Sequence, residues 1–72
     1  MRVSVSFKMR SWEQEDDMRH RIGDLAGRGH VASGFCLLTD TRDFDYTFRD
    51  PRRAKAFLRA VKRIRGVRAE VV

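Results

Sequence analysis

The sequence is poor in the residues that build disulfides, metal sites and membrane spans. Its 72 residues include one cysteine, one proline and no asparagine, and no apolar run approaches the roughly eighteen residues of a membrane-spanning helix. A single cysteine excludes an internal disulfide, and no Cys-x-x-Cys or Cys/His spacing predicts a metal site. Small secreted domains usually need disulfides, and residues 1–14 lack the apolar core of a signal peptide. We therefore expect a cytoplasmic protein with no membrane segment and no metal.

The charge is distributed unevenly along the chain. Sixteen Lys and Arg against ten Asp and Glu give a net charge of +6. Residues 1–48 carry seven basic and eight acidic groups, net −1, whereas residues 49–72 carry nine and two, net +7. Because 42% of the residues are hydrophobic, the chain has enough apolar side chains for a folded core. We expect a single domain over residues 1–72, with its basic excess at one end.

The first quarter of the chain predicts a strand followed by a helix. Residues 2–9 alternate between polar and apolar side chains, which is typical of a strand with one buried face. Ser11 with Gln14 three residues later forms a capping-box pattern that predicts the helix start, and Gly27 predicts its end. The expected buried face of this helix consists of Met18, Ile22 and Leu25.

The middle of the chain predicts two strands joined by a turn. Residues 30–39 are expected to form the first strand, residues 39–43 the turn and residues 44–49 the second strand. Three aromatic residues alternate along the second strand, and turning them outward would bury the charged residues between them. We therefore expect the aromatic side chains in the core rather than on an exposed base-stacking platform. They are Phe44, Tyr46 and Phe48.

The last third of the chain predicts a helix and a strand. Asp50 and Pro51 are typical of a helix start, Gly66 predicts the helix end, and residues 67–71 alternate as a strand. The resulting βαββαβ order resembles the ferredoxin-like superfold. The resemblance implies an α+β sandwich: a four-stranded antiparallel sheet in the order 4-1-3-2, with two helices on one face. That superfold hosts many unrelated activities, so the resemblance implies no function.

No catalytic constellation can be identified in the sequence. Ser11 is explained as a helix cap and Cys36 as strand packing, while His20 and His30 have no evident nucleophile or base partner. Acylphosphatases, which have this topology, pair an Arg with an Asn, and the chain has no Asn. We predict a non-enzymatic binding or regulatory module without a cofactor. A small-molecule-sensing domain with its site at a subunit interface stays open as an alternative.

The second predicted helix carries a basic stripe. At 100° per residue five cations share one face without an acid among them, and like charges four residues apart cost a few tenths of a kcal/mol each. Phosphates would offset that cost, so the stripe favours salt-sensitive, sequence-independent contacts with nucleic acid. The residues are Arg52, Lys55, Arg59, Lys62 and Arg63. Three alternatives stay open: a face that is simply solvated, an acidic protein or membrane surface as the partner, or neutralisation by the acidic start of the first helix at Glu13, Asp16 and Asp17.

The predicted second strand is apolar on both faces over residues 31–38. A strand with one solvent-exposed face normally alternates, so this pattern indicates cover on both sides. The predicted topology places the strand at a sheet edge, where a second copy of the chain could supply that cover. We expect a homodimer formed through Ala32, Gly34, Cys36 and Leu38. The alternative is that the small residues are simply exposed and that Gly34 forms a bulge.

Overall fold

The six predicted elements form in the predicted order. The computed structural model describes all 72 residues, and its sheet has the strand order β2-β3-β1-β4 with antiparallel neighbours. This order is 4-1-3-2 read from the other edge, so the α+β ferredoxin-like topology is confirmed. The elements are β1 (Arg2–Lys8), α1 (Trp12–Ala26), β2 (Ala32–Cys36), β3 (Thr41–Thr47), α2 (Pro51–Lys62) and β4 (Val67–Val71).

The aromatic residues on and after β3 lie in the hydrophobic core, as predicted. Phe44 and Tyr46 are completely buried, and Phe48 is nearly so. The rings of Tyr46 and Phe48 each lie 5.1 Å from the ring of Phe57 on α2. One cluster of thirteen buried apolar residues joins these rings to both helices and to β1. The aromatic side chains therefore hold α2 against the sheet and are not available for base stacking.

Helix α1 begins and ends at the predicted residues. The Ser11 hydroxyl accepts a hydrogen bond from the Gln14 backbone N–H at 3.1 Å, which satisfies a donor that has no partner within the helix. At the other end Gly27 takes a φ of 69°, and its N–H donates to the Gly23 carbonyl at 2.9 Å. Glycine adopts this left-handed conformation without steric cost. Both ends were predictable because they depend on residues within one helical turn.

The buried face of α1 differs from the predicted one. Ile22 is buried, but Leu25 is 46% exposed and Ala26 takes its place in the core. The helix also buries Glu15, whose Oε1 lies 3.5 Å from Nε of Arg42 on β3. A rotation of α1 that puts the line through Glu15, Ile22 and Ala26 towards the core explains all three observations.

The turn between β2 and β3 lies earlier than predicted. Residues 37–40 form it, so β2 ends at Cys36 and β3 begins at Thr41. Asp40 has a φ of 52°, a left-handed conformation that aspartate tolerates better than most residues. Thr41 pairs with both Cys36 on β2 and Lys8 on β1. Pairing on both sides extends β3 backwards into the segment that sequence alone assigned to the turn.

Candidate anion-binding surface

Local sequence signals position α2 at both ends. The Asp50 carboxylate accepts a hydrogen bond from the Arg52 backbone N–H at 2.9 Å, and Pro51 occupies the first helical position. Proline is suited to that position because its fixed φ matches the helix and its missing N–H would have no partner there. The helix ends at Lys62 rather than continuing to the predicted stop, and Gly66, with a φ of 81°, leads the chain into β4.

One face of α2 is buried, and the opposite face is basic apart from the exposed Ala56. Ala54, Phe57 and Val61 are buried, whereas every basic side chain of the helix is exposed. At a rise of about 1.5 Å per residue the exposed cations extend over roughly 16 Å. The basic face of α2 is defined here as Arg52, Lys55, Arg59, Lys62 and Arg63, the five residues that the sequence predicted.

Arg53 is an additional cation that the predicted stripe did not include. It is exposed, and its Nη2 lies 3.7 Å from the position that a Cβ on Gly27 would occupy. Arg53 therefore lies on the flank of α2 that faces the end of α1. On a helical wheel Arg53 lies about a quarter turn from the stripe, but the neighbouring loop is known only from the tertiary structure.

No acidic side chain neutralises the basic face of α2. The four ion pairs of the structure join Arg2 to Asp45, Arg19 and His20 to Asp16, and Arg42 to Glu15. None of them includes a residue from 49–72. Asp16, one of the acids expected to lie near the end of α2, pairs within its own helix, and the other two, Glu13 and Asp17, pair with no cation. The acids at the start of α1 therefore do not neutralise the basic face of α2 through ion pairs.

Comparisons of the chain with protein-family models, curated proteins and solved structures give no match. No family is shown. Since the topology alone implies no activity, the surfaces of the molecule itself have to indicate its function.

The residues predicted for self-association lie at the edge of the sheet, but the face around them is polar. Ala32, Gly34 and Cys36 pair with Asp45, Asp43 and Thr41, and paired residues point to the same side of a sheet. Strand β1 contributes polar residues to this side as well, through Ser4 opposite Asp45 and Ser6 opposite Asp43. The cover expected for an apolar strand is therefore not required on this face.

Two predictions for residues 31–38 need correction, one about the self-association surface and one about its alternative. Leu38 is not on a strand at all, because it lies in the β2–β3 turn with 96% of its surface exposed. Gly34 does not form a bulge, since the pairing of β2 with β3 continues through it without interruption. A Cβ on Gly34 would lie 2.7 Å from Oδ1 of Asp43, so the carboxylate lies close over the glycine.

Apart from Leu38 in the turn, the exposed apolar side chains near β2 have the other parity. Val31, Phe35 and Leu37 are 57%, 39% and 83% exposed, and we call these three residues the apolar edge. Phe35 and Ser33 pair with Arg42 and Phe44, which places them on the core side of the sheet. In the sequence, both sets of alternate residues along this segment are apolar. Only the register of β2 against β3 shows which set lies on the polar side of the sheet and which on the core side.

The lone cysteine and the two histidines occupy separate places. Cys36 is exposed, and hydrogen bonds from the Thr39 side chain and from the backbone of Thr39 and Leu38 lower the pKa of its thiol. Nδ1 of His20 lies 3.6 Å from Oδ2 of Asp16. The centre of the His30 ring lies 4.8 Å from the centre of the Phe44 ring.

The structure contains neither a cluster of metal ligands nor a helix that could span a membrane. No three His, Cys, Asp or Glu side chains gather closely enough to hold a metal ion. Neither α1 nor α2 has the length and apolar composition needed to cross a membrane.

Proposed function

We propose that this chain is a non-enzymatic module that binds the phosphate backbone of a nucleic acid through the basic face of α2. The observation that carries the proposal is the set of five exposed cations on one helix face without an acidic partner. Phosphate contacts from Lys and Arg release counterions, and this release supplies most of the affinity in sequence-independent binding.

The like charges on the basic face of α2 destabilise the free protein. Lys55 and Arg59, and likewise Arg59 and Arg63, are like charges four residues apart on one helix, and each such pair costs a few tenths of a kcal/mol. An ordinary exposed helix face intersperses acidic residues and avoids this cost. A row of phosphates along the basic face would turn the repulsion into attraction.

The proposed binding is independent of base sequence. Base recognition in single strands relies on exposed aromatic rings, and the one aromatic residue of α2, Phe57, is buried in the core. Backbone contacts position a protein on nucleic acid without carrying sequence information. We therefore expect similar affinities for duplexes of different sequence.

We also infer that both helices cover the same face of the sheet. Ile22 of α1 and Phe57 of α2 belong to one buried cluster with Val5 and Phe44 of the sheet. Those sheet residues alternate with polar residues such as Ser4, which is only partly buried. In this arrangement the basic face of α2 points away from the sheet and is accessible to a long, rod-like ligand.

Fluorescence anisotropy with a labelled DNA duplex tests the proposed function. Five phosphate contacts predict a slope of about −4.5 for log affinity against log salt. A fourfold increase in salt should therefore weaken binding by about 10²- to 10³-fold. The double substitution Arg59→Glu and Lys62→Glu should weaken binding by at least about tenfold, because it removes two contacts and adds two repulsive charges.

A matched control separates the basic face from net charge. Lys8 and Arg10 are exposed residues at and just after the end of β1, and replacing both with Glu makes the same change in charge outside the basic face of α2. The control should retain most of the affinity. An equal loss in both variants, or no binding by the unaltered protein at low salt, would contradict the proposal.

Self-association is a second candidate property, which the β2 edge favours. Strand β2 pairs with a neighbour on one side only, and an unpaired edge offers backbone groups to another strand. Residues 31–39 carry no charge, although charges are a common protection of such edges. We propose a cytoplasmic homodimer in which the β2 edges of two copies pair antiparallel, and its test is described in the Discussion.

A further inference from the structure

A cleft lies between the second half of α1, the loop after it and β3. Its volume is about 520 Å³, within the range of roughly 300–1,000 Å³ that is typical of small-molecule sites. Three glycines, two arginines and two histidines line it together with Asp24 and Tyr46. We call it the α1–β3 cleft. None of the residues of the basic face of α2 lines this cleft, so the inference goes beyond the function proposed above.

The Tyr46 hydroxyl is a buried polar group without a hydrogen-bond partner. Tyr46 has no exposed surface, and its Oη contacts no donor or acceptor in the protein. Buried polar groups in folded proteins almost always have a partner, and an orphan among the cleft-lining residues favours a ligand that supplies one. Because Oη has no accessible surface in the free protein, the side chains that cover it have to move apart when the ligand binds. Burial raises the pKa of the Tyr46 hydroxyl, while the nearby charge of Arg19 lowers it to a smaller extent. The hydroxyl therefore keeps its proton at neutral pH and is a hydrogen-bond donor.

Two guanidinium groups line the cleft. Arg19 contributes from α1 and Arg28 from the loop, with Asp24 as the single carboxylate among the lining residues. Arg19 also pairs with Asp16 through its Nη2, so a phosphate would bind its other N–H groups or displace the Asp16 carboxylate. Arg28 is held in place, because its Nη1 donates to the Thr47 carbonyl at 2.8 Å and its guanidinium lies 5.4 Å from the centre of the Phe48 ring. The remaining N–H groups of Arg28 are available to a ligand. Arg53 approaches the same loop at Gly27 and adds a third guanidinium near the cleft.

We propose that the α1–β3 cleft binds a phosphate monoester, with the Tyr46 hydroxyl and the guanidinium groups of Arg19 and Arg28 as donors to the phosphate oxygens. A phosphate monoester carries nearly two negative charges and three terminal acceptor oxygens, which match two cations and a hydroxyl. Planar guanidinium groups are well suited to such oxygens. The cleft is larger than a bare phosphate, so it has room for the organic part of the ester.

Titration with adenosine monophosphate, followed by ¹⁵N NMR, tests this proposal. We expect shifts at Arg19, Arg28 and Gly29, and none with adenosine, which lacks the phosphate. Inorganic phosphate that produces the same shifts with the same affinity would support the site and identify the free ion as its ligand. Equal binding of adenosine, or shifts that lie elsewhere, would overturn the proposal.

The variant Tyr46→Phe distinguishes a binding role from a structural one. Since the hydroxyl has no partner in the free protein, its removal should leave the unfolding midpoint unchanged or slightly higher. The affinity for adenosine monophosphate should nevertheless fall about tenfold, because a hydrogen bond to a charged group is lost. Unchanged affinity would overturn the role of Tyr46.

Arginine variants provide the matched comparison. Arg19→Gln should weaken binding of adenosine monophosphate by about tenfold. Arg21→Gln removes the same charge from α1 at a residue that does not line the cleft, and it should have little effect. Equal effects would mean that only net charge matters and would contradict the site. The double variant of Arg59 and Lys62 should leave cleft binding intact, so failure of one proposal is distinguishable from failure of the other.

Discussion

Glu15 is the charged residue that the fold buries, and its role became evident only at the level of single contacts. Its carboxylate lies 3.5 Å from Nε of Arg42, and the guanidinium of Arg42 lies 5.0 Å from the centre of the Phe44 ring. Nε of Arg42 is buried and has no hydrogen bond, so the carboxylate is its main electrostatic partner. In the sequence Glu15 is one of several acids near a helix start, with nothing to distinguish it from Glu13.

Glu15→Gln should destabilise the protein by about 1–2 kcal/mol, because the partly buried cation of Arg42 loses its compensating charge. Glu13→Gln is the control, since it removes an exposed acid from the same first turn of α1. The control should change the stability by no more than about 0.5 kcal/mol. Urea unfolding of both variants measures the difference. Equal losses would show that only the helix dipole, and not the contact with Arg42, matters at this position.

At the scale of elements, α2 combines good helix ends with an unfavourable exposed face. Asp50 caps its first turn, and its buried residues lie on a regular apolar stripe. The same helix has no acid in its first turn, although acids there are favourable. An element built only for stability would not concentrate like charges in this way. This conflict within one helix is what favours a binding role for it.

Lys55→Glu should stabilise the protein while it weakens nucleic-acid binding. The new carboxylate would pair with Arg59 four residues later, in the favourable orientation, and with Arg52 three residues earlier. We expect a gain of about 0.5 kcal/mol in the free energy of unfolding, measured by urea titration, together with reduced affinity in the anisotropy assay. Lys55→Gln should give a smaller change of the same sign in both measurements. A variant that gains stability and keeps full affinity would contradict the binding role of Lys55.

At the scale of the whole molecule, the basic face of α2 and the uncharged β2 edge lie on opposite sides. Helix α2 packs against β4 and β1, whereas β2 forms the other edge of the sheet. Pairing two copies through β2 would therefore keep the two basic faces apart and would not bring their charges together. It would also place the apolar edges of the two copies side by side.

An antiparallel pair of β2 strands centred on Gly34 predicts a specific cross-link. This register pairs all five residues of each strand and places Ala32 of one copy opposite Cys36 of the other. Directly opposite Cα atoms lie about 4.5–5.5 Å apart, which a disulfide spans. Ala32→Cys should therefore give covalent dimers on mild oxidation, aided by the lowered pKa of Cys36.

Ser33→Cys is the control for this cross-link, because residue 33 points to the other side of the sheet. It should give few covalent dimers, as should the unaltered protein, whose two Cys36 residues would lie too far apart in this register. Equal cross-linking of both variants would contradict the register. Sedimentation of a monomer throughout the micromolar range would contradict the dimer itself.

The boundaries of the elements show how far sequence reasoning extends. Ser11, Gly27 and Asp50 act on backbone groups within a few residues, so α1 and the start of α2 were predictable. The turn at residues 37–40 was misplaced by about two residues, because Thr41 is held in β3 by pairing with Lys8 and Cys36. Those partners become neighbours only when the sheet forms.

The sequence by itself determined the order of the elements, the aromatic core and the basic face of α2, since each depends on a periodicity within one segment. Only the tertiary structure decided what lies next to these features. It left the cations of α2 without acidic partners, buried Glu15 against Arg42, and placed the unpartnered Tyr46 hydroxyl among the residues that line the α1–β3 cleft. The physical reason is that charge compensation and hydrogen bonding act between neighbours in space, and these neighbours come from distant parts of the chain.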